Sequence, residues 1–407
     1  MSRLTETFDP FELQDTILGD VRDPHTTLAA ARARGNVQPG IPMLVASPVM
    51  DHPIEAGAPT FTAYGHDAVT AILRDNETFS SAVYETVIGM VMGHSILEMD
   101  EPEHRTHRML LSPSFSAKAL ARWEEDLVRV VVDELIDGFV DEGRAELVRQ
   151  FTFAFPVQVI ARILGMPREE YPSFQRWSIE LLSVFVNWDR GIAASEALRD
   201  YFKGVLDDRR REPRDDLITE LSQAEVEGQR LTDEEIFAFL RLILPAGVET
   251  TYRSSGNLLY GLLTHTDQLD ALRADPSLMG QAIEEGLRWE PPIISIVRKA
   301  TRDVEIEGVQ IPAGAIVNLC VGAANRDESR YPDPDRFDIT RDPKQHMTFG
   351  FGPHMCIGMH LARMETRVAI TRVLERLPNL RLDPDRERPY VQGAAMRSPA
   401  ALHVLFD

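Results

Sequence analysis

Phe349-Gly-Phe-Gly-Pro-His-Met-Cys356-Ile-Gly358 runs directly into Met359-His-Leu-Ala-Arg-Met-Glu-Thr-Arg-Val-Ala-Ile-Thr-Arg-Val-Leu-Glu-Arg-Leu377. The second stretch repeats apolar residues at helical spacing and reads as an amphipathic helix. The first reads as a tight loop. Gly350, Gly352 and Gly358 allow close backbone approach because glycine has no Cβ, and Pro353 fixes φ and removes a donor. Cys356 therefore stands at a helix N-terminus, where free N–H groups and the positive dipole end favour thiolate over thiol. An ionised, rigidly held sulfur has the character of an iron ligand. Other readings stand beside it: a small buried hydrophobe, or a nucleophile with His354 or His360 as base. Zinc finds no second cysteine nearby.

The bulk properties narrow the function classes. Lys and Arg number 43 against 64 Asp and Glu, a formal charge of −21. Phosphate backbones need a basic face, so nucleic acid is excluded as the main partner. Hydrophobic content of 43% and charged content of 26% are ordinary for a globular chain able to fill a large core. The two cysteines, Cys320 and Cys356, show no disulfide pattern and suit a reducing cytosol, so a cytoplasmic location is expected. The opening Met1 to Pro10 is polar and no run of roughly twenty apolar residues follows, so no membrane anchor is expected.

Several stretches read as elements. Asp23-Pro24 and Gly35 bracket a helix over His25 to Arg34; Thr60 to Tyr64 reads as a strand; Asp67 to Arg74 as a short helix. Val83 to Met99 is methionine-rich and glycine-punctuated without a clean period, as in a partly buried loop. His104 and Arg108 share a helical face. On their own they make a solvated basic face. Helices are expected over Ala119 to Phe139 and Val148 to Leu164, and Arg209 to Asp216 reads as a solvated linker. Thr232-Asp-Glu-Glu235 is a capping box. It opens an apolar helix reaching about Leu263, on the order of 45 Å at about 1.5 Å per residue. Arg241, Glu249 and Arg253 interrupt it, which argues against a membrane span. Pro245 cannot donate to the Arg241 carbonyl and Gly247 weakens the same turn, so a kink is expected there. On the residues alone, Glu249 pairs with Arg253 and Thr250 bonds back to the Ala246 carbonyl. Glu285 and Arg288 share a face, a pair worth roughly 0.2–0.5 kcal/mol if exposed. Val304 to Ile311 and Ala315 to Cys320 alternate like strands.

Taken together, F-x-x-G-x-H-x-C-x-G with Leu361-Ala362-Arg363, A-G-x-E-T-T from Ala246, E-x-x-R from Glu285 and H-x-x-x-R from His104 resemble the motifs of cytochrome P450 enzymes in order and approximate spacing. The resemblance covers nearly the whole chain. It implies a single domain over 1–407, mainly α with small β-sheets, with a long central helix over haem b. Cys356 would be the iron ligand, in a loop whose Phe349, Gly352, His354 and Gly358 lie on the haem. His104, Arg108 and Arg298 would hold the propionates. Ala246, Gly247, Glu249 and Thr250 would form the acid–alcohol motif, with Glu where many relatives have Asp. Glu285, Arg288 and Arg336 would form a buried structural network. Val87, Ile88, Met92, Ile243, Ile293 and Ile294 would line the substrate pocket, under a lid near Tyr171 to Asp189.

The activity implied is insertion of one atom of O2 into a C–H bond of a hydrophobic molecule: a terpenoid, steroid, fatty acid or polyketide. The chain has no flavin or iron–sulfur motif, so electrons from NAD(P)H would arrive through ferredoxin reductase and ferredoxin. Arg105, His107, Arg122, Arg363 and Arg367 would dock an acidic ferredoxin, and the protein would be a monomer. A peroxide-driven haem enzyme and a non-catalytic haem-binding sensor are the alternatives, and Glu249 with Thr250 speaks against both. A cysteine hydrolase would be colourless.

Overall fold

Thr232 caps a helix of 32 residues, Asp233–Thr264, about 48 Å long at ~1.5 Å per residue. The cap is reciprocal: the Glu235 N–H donates to Thr232 Oγ1 at 3.3 Å, and the Glu235 carboxylate accepts from the Thr232 N–H at 2.6 Å. Beyond its first turn the helix is buried on nearly every side, its polar residues included, so it depends on being surrounded. Helices Ala154–Ile163, Trp188–Arg211, Met279–Trp289 and Met359–Arg376 pack around it. It continues through Pro245 instead of stopping there. These features belong to a computed structural model that describes residues 19–42, 57–185 and 187–407, apart from the side chains of Val87 and Phe185.

Beside this helical body lies a five-stranded sheet. Its strands are β1 (Val37–Pro39), β2 (Thr60–Ala63), β3 (Phe79–Ser80), β4 (Ile296–Ala300) and β5 (Ile316–Leu319), in the order β1-β2-β5-β4-β3. Only the β2–β5 pair is parallel, with Ile316 opposite Thr60; β4 runs antiparallel to β5, which places Arg298 opposite Val317. Helix His66–Arg74 covers the sheet through Ala68, Val69, Ile72 and Leu73. With its small separate sheets, the chain is mainly α with a minor β part, as expected. No helix among the described residues is long and apolar enough to cross a membrane.

Four local expectations change. Val83 to Met99 is not a plain loop: residues 82–84, 85–89 and 90–92 form successive short helical turns. Val304 to Ile311 is not one strand but a hairpin, turned at Glu307 and Gly308 with φ of 48° and 80°. Positive φ at both central residues matches the twist of the flanking strands. The helix expected over Ala119 to Phe139 is interrupted by a wider turn at Glu124–Val128. Arg209 to Asp216 is solvated through its middle, residues 210–215, but anchored at both ends. Arg209 and Asp216 are both buried and paired, and Arg209 Nη2 also donates to the Gly165 carbonyl at 3.0 Å.

The buried network differs in one member. Glu285 accepts from Arg288 Nε at 2.7 Å and Nη2 at 2.8 Å, and from the Asp338 N–H at 2.9 Å. Arg288 Nη1 reaches the carbonyls of Asn325 at 3.0 Å and Pro334 at 2.8 Å. The second guanidinium on Glu285 is that of Arg341, with Nε at 3.4 Å. Arg336 was expected there, but its side chain is 63% exposed and only its carbonyl joins, accepting from Arg288 Nη2 at 3.2 Å. The reason is the neighbour: Phe337 fills the core at 1% exposure, which turns Arg336 outward. Removing one partner of a buried pair leaves an uncompensated charge and costs about 3–5 kcal/mol. Glu285→Ala is therefore expected to lower urea-unfolding stability by about that amount. Arg341→Ala should cost clearly more than Arg336→Ala, which should stay within about 0.5 kcal/mol. Equal losses at the two arginines would remove Arg341 from the network.

Candidate functional site

The cysteine loop is held by its own backbone. The Cys356 N–H donates to the Phe349 carbonyl at 2.8 Å, Gly350 N–H to Met347 at 2.9 Å, and Met355 N–H to Gly352 at 3.1 Å. Gly350 and Gly352 adopt φ of 70° and 71°, the left-handed region that excludes most side chains. A Cβ on Gly352 would stand 2.4 Å from the Leu73 carbonyl oxygen, so the loop rests directly on the end of helix His66–Arg74. Helix Met359–Arg376 begins immediately after Gly358. Below the loop, Arg363 stacks over Phe349 at 4.6 Å and holds Glu284 through two bonds of 2.7 and 2.8 Å.

Cys356 is exposed although it lies deep among protein atoms, so its sulfur borders an opening in the interior. Burial pushes its thiol up, while the Gly358 N–H, Arg108 and Arg363 pull it down without overcoming burial. The expected preference for thiolate is thus not supplied by the helix end alone. A metal cation on the sulfur reverses the balance, since a coordinating thiol is deprotonated outright.

A second opening lies along the central helix. Ala246 is exposed and Leu242 and Thr250 are partly so, in a segment otherwise buried; their four-residue spacing makes one stripe. Thr250 Oγ1 donates to the Ala246 carbonyl at 2.6 Å. Gly247 does not share the stripe. A Cβ there would meet Ile160 at 3.1 Å, so this glycine serves the approach of helix Ala154–Ile163. Glu249 is fully buried and its carboxylate accepts from Arg253 Nη2 at 2.9 Å and Nε at 3.3 Å, while Arg253 Nη1 donates to Ser398 Oγ at 3.0 Å. The acid and the alcohol are thus adjacent in sequence but face different surroundings.

Four nitrogen-bearing side chains converge above the cysteine loop. The rings of His104 and His354 lie 3.9 Å apart, tilted by 33°. Nε2 of each is buried without a partner. Burial lowers His354 to about 3, and His104, Arg298 and Arg108 add to the effect. Arg298 is 6% exposed and gives Nη1 to its neighbour's carbonyl, that of Val297, at 2.8 Å. Tyr84 lies beside Arg298 and accepts the Val297 N–H at 3.0 Å. Nothing in the sequence marked Tyr84, a lone tyrosine in an aperiodic stretch. Two carboxylates reach this group: Glu101, 3.4 Å from His104 Nδ1, and Asp100, which acts on both Arg298 and His104. Two guanidiniums and two orphaned imidazole nitrogens, next to a cradled cysteine, fit a flat metal-bearing group that carries carboxylates.

The expected pocket residues divide. Met92 and Ile243 are buried and Ile88 half-buried against the main core. Val87 has its side chain outside the described residues. Ile293 is half-buried and bridges to Met396. Ile294 points elsewhere, into a cluster with Leu28, Ala31, Tyr64, Cys320 and Ala323. Extended backbone sends adjacent side chains to opposite faces, so Ile293 and Ile294 cannot both line one pocket. The expected docking cations are mostly neutralised: Arg122 by Asp215 and Glu220, Arg363 by Glu284, Arg367 by Glu124 and His107 by Glu235.

Comparison with known proteins bears on the family and the fold. The family model described as Cytochrome P450 matches residues 181–401. Cytochrome P450 monooxygenase PikC of Streptomyces venezuelae is 35% identical over 376 residues, 89% of this chain and 85% of that one. The steroid C26-monooxygenase of Mycolicibacterium smegmatis is 39% identical over 321 residues, 76% of this chain and 79% of that one. The crystal structure of CYP109E1 from Bacillus megaterium in complex with testosterone superposes with a TM-score of 0.84 at 29% identity, covering 95% of this chain and 99% of that one.

Glu284 gives the site a pH signature. Burial alone would raise its carboxyl, but His346 at 3.3 Å and the Arg363 fork outweigh it and hold the group at about 2, below its ordinary 4.5. Ionised Glu284 therefore stabilises the fold above about pH 4.5, and that contribution is lost as pH falls from 4.5 through about 2. In Glu284→Gln, the unfolding midpoint should depend less steeply on pH across that window than in the parent. Parallel profiles would show that the pair does not act on stability.

Proposed function

The chain belongs to the cytochrome P450 family of monooxygenases, and from that premise we propose that it uses haem b, ligated by Cys356, to hydroxylate a hydrophobic small molecule. The observation that carries this reading is the convergence of His104, Arg108, Arg298 and His354 beside the cysteine loop, with two imidazole nitrogens lacking partners. When bound, the haem supplies reductive activation of O2, assisted by electron density from the thiolate.

The chain's own residues supply position and protons. His104, Arg108, Arg298 and His354 are the residues that would hold the propionates, by charge-assisted hydrogen bonds. The Gly358 N–H lies on the sulfur and tunes its charge. Phe349 packs beneath, fixed by Arg363. Ala246, small and exposed, keeps the central helix open at the reacting face. Thr250 Oγ1 gives its own proton to the Ala246 carbonyl, which leaves its lone pairs free to accept from water. Glu249 serves that path only once its carboxylate has turned away from Arg253, leaving Arg253 to Ser398. Met92, Ile88, Ile243 and Ile293 offer apolar walls that orient substrate and exclude water.

A terpenoid, steroid, fatty acid or polyketide suits such walls. The steroid C26-monooxygenase, a relative, and the testosterone complex of CYP109E1, a structural neighbour, support a substrate of steroid size. Electrons come from NAD(P)H through ferredoxin reductase and ferredoxin. Because most cations of the expected docking face are already paired, Arg105 and exchange of those ion pairs would govern that contact.

Two substitutions test the reading. Cys356→Ser should abolish the red-shifted absorption band of the reduced carbon monoxide complex; a surviving band would refute the ligand assignment. Thr250→Ala should keep consuming NAD(P)H while hydroxylated product per NAD(P)H falls by at least about a hundredfold, the lower end of what a general acid–base group contributes, and peroxide appears instead. Unchanged coupling would take Thr250 out of the proton path. Product formation with peroxide alone, at the rate of the electron-fed reaction, would favour the peroxide-driven alternative.

A further inference from the structure

Strand β3 leaves one edge of β4 unfinished, and a side chain completes it. The ladder pairs Phe79 with Ala300 and Ser80 with Lys299, and the Thr301 N–H donates to the Thr78 carbonyl at 2.8 Å. Alternate residues of a strand present their N–H groups to the same edge, so the next donor there is Val297. β3 ends before reaching it, because the chain enters a short helical turn at Ala82–Tyr84. The Tyr84 hydroxyl takes the place of a strand and accepts the Val297 N–H at 3.0 Å. The Val297 carbonyl faces the same edge and accepts from Arg298 Nη1 at 2.8 Å. One peptide edge thus gathers a phenol and a guanidinium, and the phenol oxygen lies within hydrogen-bonding reach of Arg298.

The position of Tyr84 is itself fixed. Asp100 accepts the Ser81 N–H at 3.0 Å and the Ser80 hydroxyl, and Ser80 Oγ accepts the Ala82 N–H at 3.0 Å. Val83, inside the same turn, is buried. The turns that follow, residues 85–89 and 90–92, carry Ile88 and Met92, two of the apolar walls. Tyr84 therefore stands between those walls and the cluster of His104, Arg108, Arg298 and His354. Arg298 also feels a competing attraction, because Asp100 acts on it. A long arginine stem has many rotamers, and one bond to its own neighbour's carbonyl selects little among them.

We propose that Tyr84 is a positioning residue for the haem chemistry: its phenol oxygen holds the Arg298 guanidinium at the edge of β4, away from Asp100, and thereby raises the haem reduction potential. This rests on the monooxygenase reading and adds to it a residue that none of the four sequence motifs contains. The sign follows from charge. Reduction adds an electron to the haem, and a cation held nearby favours the form with the added negative charge. Burial keeps that attraction from being screened by salt. Without the phenol, Arg298 is free to swing toward Asp100, the propionates lose part of their counter-charge, and the potential falls. Tyr84 acts through Arg298 and touches none of the reacting atoms.

Spectroelectrochemical titration of the haem-loaded protein tests this. Tyr84→Phe, which removes only the hydroxyl, should shift the ferric–ferrous equilibrium toward ferric by at least about threefold, or about 28 mV at 59 mV per tenfold for one electron. Arg298→Gln should shift it the same way. Adding Tyr84→Phe to Arg298→Gln should then change it by less than about 1.3-fold, since residues that act as one unit are not additive. The thermal unfolding midpoint of each variant is the control: a strut that only closes the edge of β4 would lower the midpoint and leave the potential unmoved. A ring-fluorinated tyrosine in place of Tyr84 keeps the hydroxyl and nearly the shape but weakens the oxygen as an acceptor. It should lower the potential by a smaller amount, and it decides the matter if Tyr84→Phe fails to fold. An unmoved potential in Tyr84→Phe, or in the fluorinated protein where that variant does not fold, would overturn the proposal, as would a full further shift on top of Arg298→Gln. A parent protein with the red-shifted carbon monoxide band and variants with that unmoved potential sink this inference alone; a chain that never takes up haem sinks the functional reading and this inference with it.

Discussion

Burying a charge without a counter-charge costs several kcal/mol, and that constraint sorts the interior of this protein. Where opposite charges meet, they brace the scaffold. Glu285 gathers Arg288 and Arg341 beside the chain that leads to the cysteine loop. Glu290 gathers His25 at 3.0 Å and Arg397 at 2.6 Å, and Arg397 also reaches the carbonyls of Val21 and Arg22, which ties both ends of the described chain together. Where cations outnumber the carboxylates in reach, as with Arg108 and Arg298 around two histidines beside Asp100 and Glu101, the arrangement suits a further anion.

The cysteine loop depends on this scaffold for its shape. Its sulfur stands where burial opposes ionisation and only part of that opposition is met by Gly358, Arg108 and Arg363. A site so balanced favours a ligand that brings positive charge to the sulfur and negative charge to the cluster near His354. The haem proposed for this site would do both at once, since its iron is a cation and its propionates are anions. The two demands come from different stretches of chain, Cys356 and His354 from one loop, His104 and Arg108 from a helix far upstream, and Arg298 from β4. Only the folded state brings them together.

What the sequence revealed followed from local rules. The capping box at Thr232, the Glu249–Arg253 and Glu285–Arg288 pairs and the Thr250 back-bond join residues within one turn of each other, so spacing alone predicts them. What it concealed depended on packing at a distance. Arg336 and Arg341 are equally cationic, and only the burial of Phe337 decides which faces Glu285. Arg209 and Asp216 look like a solvated run until the Gly165 carbonyl is seen to complete their burial. Gly247 looked like part of a motif and proves to be spacing for Ile160. The arginines of the expected docking face kept their charges in sequence and lost their isolation in space, because their partners lie tens to hundreds of residues away.

The placement of Glu249 adds a constraint on any proton path. Its carboxylate is not presented to Thr250; it is clamped by Arg253, which is also bonded to Ser398. A carboxylate in an intact buried pair is a poor proton carrier, because protonating it would strand the guanidinium. Glu249 can serve Thr250 only by turning away from Arg253, and Arg253 must then be held by something else. Ser398 is the neutral partner already in place. The longer side chain of Glu, compared with Asp, gives the carboxylate the reach to pivot about its own χ angles while the helix backbone stays fixed. Proton delivery would then be gated by the breaking of one ion pair, and the strand carrying Ser398 would belong to the gate as much as the helix does.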